Sequence, residues 1–164
     1  MSITKNNLAI VALLGSMLFV ILTANGGLVV PAFANEDYTT NLSGDEEVPS
    51  VNTNAEGNAK LEVDNDKREI HFDVEAEGLE DIVGGHLHYG EKGENGPVVV
   101  TLFGEESTNN GNFEASGTIQ ENDLEGPLEN KDISDLVEHI EDKEIYINIH
   151  TEQNPDGEIR GQFD

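Results

Sequence analysis

The chain has 164 residues, no cysteine, and 34 acidic against 8 basic side chains, for a formal net charge of −26. A surface of that sign repels phosphate backbones and anionic lipid, so neither nucleic acid nor an acidic membrane is expected as a partner. The missing thiols exclude disulfides, thiolate zinc sites, cysteine nucleophiles and a cysteine-ligated blue-copper centre.

In chain order, residues 1–34 come first and stand apart. Lys5 is their only charge, "LAIVALLGSMLFVILTA" is apolar throughout, and "PAFA" sets Ala32 and Ala34 in the small-x-small pattern of a cleavage site. The segment is predicted to be a signal peptide, with residues 35–164 as one exported domain, secreted or at the cell surface. Left uncleaved, the run is long enough to cross a bilayer at about 20 residues, and only then is membrane contact expected. All 34 carboxylates fall after it. They suit a solvated acidic surface, a basic extracellular protein partner or divalent cations, yet no run fits a D-x-[DN]-x-[DN]-G calcium loop. Asn41 opens an N-L-S acceptor triplet.

"NAKLEVD" alternates Ala59, Leu61 and Val63 with polar residues, and "REIHFDVEAEG" alternates Ile70, Phe72, Val74 and Ala76. Both read as strands with one buried face, joined as a hairpin through the polar "DNDK" at 64–67. "VGGHLHY" and "EIYINIHT" alternate in the same way. "GPVVVTLFG" is a buried β-branched run, and "NFEASGTIQ" is a further strand. One stretch is helical: "KDISDLVEHIEDKE" places Ile133, Leu136, Val137 and Ile140 on one face with Asp132 as N-cap and His139 on the solvent side. The expected class is all-β, an antiparallel Greek-key β-sandwich or barrel with one short helix.

Asn154-Pro155-Asp156-Gly157 suits a type I turn with Gly157 in a G1 bulge. That turn predicts Asn154 opposite Glu158, Thr151 opposite Gly161 and Ile149 opposite Phe163. Ile145, Ile147, Ile149, Ile159 and Phe163 then share the core face, leaving Tyr146, Asn148, His150, Arg160 and Gln162 on the other. In "VGGHLHY" the same logic puts Val83, Leu87 and Tyr89 inward and His86 and His88 outward.

Residues i and i+2 of a strand lie about 6.5–7 Å apart on one face, so two imidazoles there can reach a shared ion at about 2.0–2.1 Å. His150 supplies a third nitrogen from a second outward strand face. Nitrogen-only ligation favours one copper or zinc ion over calcium or magnesium. The competing reading has these rings hydrogen-bonded to Asn148, Glu158 and Arg160 simply to hold loops. Glu158 or Arg160 could also orient a ligand or an anion. His71, on the polar face of its strand, is expected at the surface.

"GGHLHYGEKGENGPVVVTLFG", "YINIHTEQNPDGEIRGQ" and the opening "LSGDEEVPSVNTNAEGNAKLEVD" together resemble the CHRD (chordin-type) domain over roughly residues 38–163. The resemblance implies a β-sandwich in an exported protein. It carries over His86, His88, Asn148, His150, Glu158, Arg160 and Gln162 as a recurrent polar set with no assigned role. "GGHLHYG" is also locally similar to the H-x-H strand of copper–zinc superoxide dismutases, without that family's cysteines, bridging histidine or zinc loop. The expected function is transition-metal binding through His86, His88 and His150 for metal handling or a simple metal-assisted reaction. The alternatives are a metal-free adhesion module that binds a partner protein, and a dismutase-like or carbonic-anhydrase-like metalloenzyme.

Overall fold

The computed structural model describes residues 21–22, 28–29, 36–64, 68–106, 108 and 111–163. Residues 1–34 and 35–164 form separate units. In the first, β1 (Ile21–Leu22) and β2 (Leu28–Val29) pair antiparallel. The expected signal peptide and its cleavage site otherwise lie outside the described residues. Among those described, no helix is long and apolar enough to cross a membrane.

In the second unit, eight antiparallel strands make one sheet that curls into a nearly closed barrel. They are β3 (Glu36–Ser43), β4 (Glu56–Asp64), β5 (Glu69–Glu77), β6 (Ile82–Tyr89), β7 (Val98–Phe103), β8 (Asn112–Ile119), β9 (Ile145–Thr151) and β10 (Ile159–Gln162). Their spatial order is β7-β6-β9-β10-β3-β4-β5-β8. Phe103 of β7 and Phe113 of β8 meet with ring centroids 4.9 Å apart, so the two edge strands shield each other. The all-β class, with one α-helix among the described residues, is as expected.

The β4–β5 hairpin forms as its alternation predicts, pairing Ala59 with Val74, Leu61 with Phe72 and Val63 with Ile70, all of them buried. Residues 65–67 at its tip lie outside the described residues. Burying each large side chain is worth about 1.5–3 kcal/mol, and these pairs fix the register. Helix α1 (Ile133–Glu141) starts at Asp132, whose backbone N–H donates to Asp135 Oδ2 at 2.9 Å in a capping box. Ile133, Leu136 and Ile140 face the core. His139 is less exposed than expected: Nδ1 lies 2.8 Å from the Glu144 carboxylate and the ring packs edge-on to Tyr89.

Three features depart from the sequence reading. β3 was not foreseen, because only Leu42 in it is buried; pairing with β10 and β4 on its two sides holds it. In β6 the inward residue is Ile82, while Val83 is 37% exposed. A bulge causes this: Ile82 pairs with Thr151 and Gly84 with His150, so two residues oppose one and the alternation changes phase. Finally, the terminal hairpin pairs Ile149 with Ile159 and Asn148 with Arg160, not Ile149 with Phe163. The predicted turn closes, with the Gly157 N–H donating to Asn154 O and Gly157 at φ +131°, but the G1-bulge pairing of Asn154 with Glu158 does not form, because the Glu158 N–H donates to Ile149 O. A second turn, with the Asn154 N–H on Thr151 O, precedes it and lengthens the loop. The shift is an even number of residues, so both face assignments survive.

The outer face of β4, β5 and β8 sets like charges directly opposite one another, Glu56 against Glu77 and Glu75 against Glu114. Each such pair costs about 0.2–1 kcal/mol, and salt screens it. Raising sodium chloride from low to moderate concentration is therefore expected to raise the melting temperature by several degrees in a thermal scan. A flat or falling trend would contradict this account of the acidic face.

Candidate metal centre

β6 and β9 are neighbours, and their register sets Gly84 opposite His150, His86 opposite Asn148 and His88 opposite Tyr146. Side chains at alternate positions share a face, so three histidines from two strands meet outside the barrel wall. Ring centroids are 4.9 Å apart for His86 and His150, 5.8 Å for His86 and His88, and 6.1 Å for His88 and His150. One ligand nitrogen from each ring lies within 4.8 Å of the other two. The three residues singled out in the sequence come together.

On two of the three rings the second nitrogen is already committed. His88 Nδ1 lies 2.9 Å from Gly96 O and His150 Nδ1 lies 3.0 Å from Pro155 O. A carbonyl only accepts, so each Nδ1 carries the proton and each Nε2 keeps its lone pair. Those two Nε2 atoms, with Nδ1 of His86, are buried and have no hydrogen-bond partner among the described residues. Burying an unsatisfied polar atom costs about 1–3 kcal/mol, and here three such atoms converge. Burial, with the neighbouring His150 and His88, lowers the His86 pKa to about 4; burial also lowers His88 and His150. All three rings are thus neutral at pH 7.

The other polar residues of the expected set are buried and hold the loops around the histidines. Arg160 Nη1 donates to Asn95 Oδ1 at 3.1 Å and Nη2 donates to the carbonyls of Glu94 and Glu91 at 2.9 and 3.3 Å. Its Cζ sits 3.4 Å from the Tyr146 ring centroid, and the same ring stacks on His88 at 4.8 Å. Gln162 Nε2 donates to the carbonyls of Gly90, Lys143 and Ile145. Glu158 accepts from Thr53 and Thr151 at 2.8 and 2.6 Å. Asn148 stands closest to the cluster, directly opposite His86.

Three contributors were not singled out in the sequence. Tyr146 supports His88 and accepts the Gly96 N–H at 3.1 Å. Asn95 ties the 90–97 loop to Arg160 and to Val48 O. Glu47 is 7% exposed, and burial raises its carboxyl pKa to about 7 against the opposing pull of Arg160 and Asn148. The signal for Glu47 was its place in the "EEVPS" stretch that carried the family resemblance. His71 lies on the outer face of β5 beside Thr118, grouped with Asp64 and Glu69 rather than with the other histidines.

The profile of the CHRD domain, a type that occurs in extracellular proteins, matches residues 38–163. No curated protein and no solved structure matches the chain. The match covers nearly all of the barrel and takes in β6, β9, β10 and the loops that enclose the histidines. The chain belongs to the CHRD-domain family.

Proposed function

We propose that this is an exported CHRD-domain protein that binds one copper or zinc ion through His86, His88 and His150, for metal handling at or outside the cell surface. The carrying observation is the convergence of three buried, unpartnered imidazole nitrogens, two of them on rings whose tautomer is set by a backbone carbonyl. Carbonyl-oriented histidines of this kind are what metal sites use to fix ring direction and keep the ligand nitrogen deprotonated. Imidazole nitrogens bind such an ion at about 2.0–2.1 Å, and these three lie within 4.8 Å of one another, a spacing from which they can close on a common ion. The apolar leader ending in "PAFA" and the domain type support an extracytoplasmic location.

The test is elemental analysis of the purified protein after dialysis against a weak chelator, beside His86→Ala and His88→Ala variants. Close to one equivalent of copper or zinc is expected on the native chain and only traces on either variant. Equally metal-free proteins would refute the site and leave an adhesion module as the better reading.

A further inference from the structure

Asn148 and Gln162 of the polar set each bury a side-chain oxygen that has no hydrogen-bond partner among the described residues, and Asn148 is the one that stands across from His86. It is 3% exposed, it lies directly opposite His86 in the β6–β9 register, and it is two residues before His150 on the same face. Its Oδ1 is buried and accepts no well-formed hydrogen bond among the described residues, although the amide lies near enough to His88 to favour that ring's protonated form. A buried amide oxygen left in that condition is costly, and on this face of β6 and β9 it shares its state with three imidazole nitrogens, while the unpartnered Glu47 Oε1 lies on the Gly157 side of the amide.

The amide nitrogen points elsewhere. Gly157 packs so tightly on this group that a Cβ there would lie 2.7 Å from Asn148 Nδ2 and would also collide with Glu47 Oε1. Nδ2 and the Glu47 carboxyl therefore share the space beneath the 152–158 loop. An amide whose nitrogen faces a carboxyl presents its oxygen on the other side. Glu47 is in this sense a positioning residue, and Gly157 is small because the pair needs the room.

We propose that Asn148 Oδ1 is the fourth donor of the centre, completing a three-nitrogen, one-oxygen set with His86 Nδ1, His88 Nε2 and His150 Nε2. The proposal rests on the three-histidine reading and deepens it. A neutral amide oxygen is a hard donor, so it helps Zn(II) or Cu(II) and contributes little to Cu(I). Four protein donors also close the coordination shell. A closed tetrahedral site holds its metal, whereas hydrolytic and hydration sites keep a position open for water. The centre is thus built to retain a divalent ion rather than to turn over a substrate.

The experiment measures Zn(II) and Cu(I) affinities of the full chain by chelator competition, in the native protein and in Asn148→Ala and Asn148→Asp variants. Asn148→Ala should weaken Zn(II) by about 10–100-fold and leave Cu(I) essentially unchanged. Asn148→Asp, which keeps an oxygen in place, should hold or tighten Zn(II). Native Zn(II) affinity in Asn148→Ala, with binding still abolished in His88→Ala, would overturn the fourth donor while sparing the histidines. Equal losses of both ions in both variants would mark Asn148 as structural and overturn it as well. A native chain that binds neither ion would remove the three-histidine reading itself.

Discussion

Replacing Arg160 with alanine is expected to destabilise the domain by about 2–4 kcal/mol, the range for losing a large buried side chain together with its charge-assisted hydrogen bonds. The side chain is 1% exposed, and its guanidinium makes three hydrogen bonds and lies over Tyr146. Burial lowers its pKa, but a guanidinium stays charged at any ordinary pH. Truncation therefore removes three charge-assisted hydrogen bonds to an exposed loop and uncovers a ring face. The damage should also be directional. The 90–97 loop carries Gly96, whose carbonyl fixes His88, so amide hydrogen exchange at residues 91–96 should quicken before the rest of the barrel responds. Arg160→Lys keeps the charge but lacks the planar fork, and should recover only part of the loss. Denaturant unfolding measures both variants. A cost under about 1 kcal/mol for the alanine would mean the loop is held by something other than this side chain.

How much of this could be read from the sequence follows from what alternation encodes. Period-two patterns in Ala59–Val63, Ile70–Ala76 and Ile145–Ile149 reported buried faces, because burial of one face is the dominant energy of such strands. The histidine pair was legible for the same reason: once Leu87 is inside, His86 and His88 must be outside. Backbone irregularities were not legible. The bulge that turns Ile82 inward and Val83 outward exists only relative to β9, and no local pattern announces it. The extra turn before Pro155 moved the hairpin register for a related reason. A Thr151–Asn154 turn with its own side-chain bond, the Asn154 N–H on Thr151 Oγ1, competes with simple strand extension. β3 escaped notice because its stability comes from two flanking strands, with one buried side chain to show for it. In the site, ligand-type residues could be found by type and spacing. Glu47 lies 101 positions from Asn148 in the chain, and only the fold brings them together.

Glu47→Gln is expected to make the metal-free domain markedly more acid-sensitive, because two opposed ionisations meet at this centre. His86 has a folded pKa of about 4 against an ordinary 6.5. Below pH 6.5 the unfolded chain therefore binds more protons, and stability is lost as pH falls from about 6.5 toward 4. His88 and His150, also lowered by burial, act in the same direction. Glu47 runs the other way. Its folded pKa of about 7 lies above the ordinary 4.5, so its contribution is fully present below 4.5 and disappears as pH rises through 7. Each shift of this size corresponds to at most about 3 kcal/mol. Between pH 7 and 4.5 the carboxyl thus offsets much of what His86 loses. Glutamine keeps the shape and cannot titrate, so the offset vanishes and the histidine term stands alone. Unfolding free energies measured from pH 7.5 to 4 should fall gently for the native protein and by up to about 3 kcal/mol more for Glu47→Gln. Superimposable profiles would show that Glu47 ionises normally, and that the carboxyl is better solvated than its burial implies.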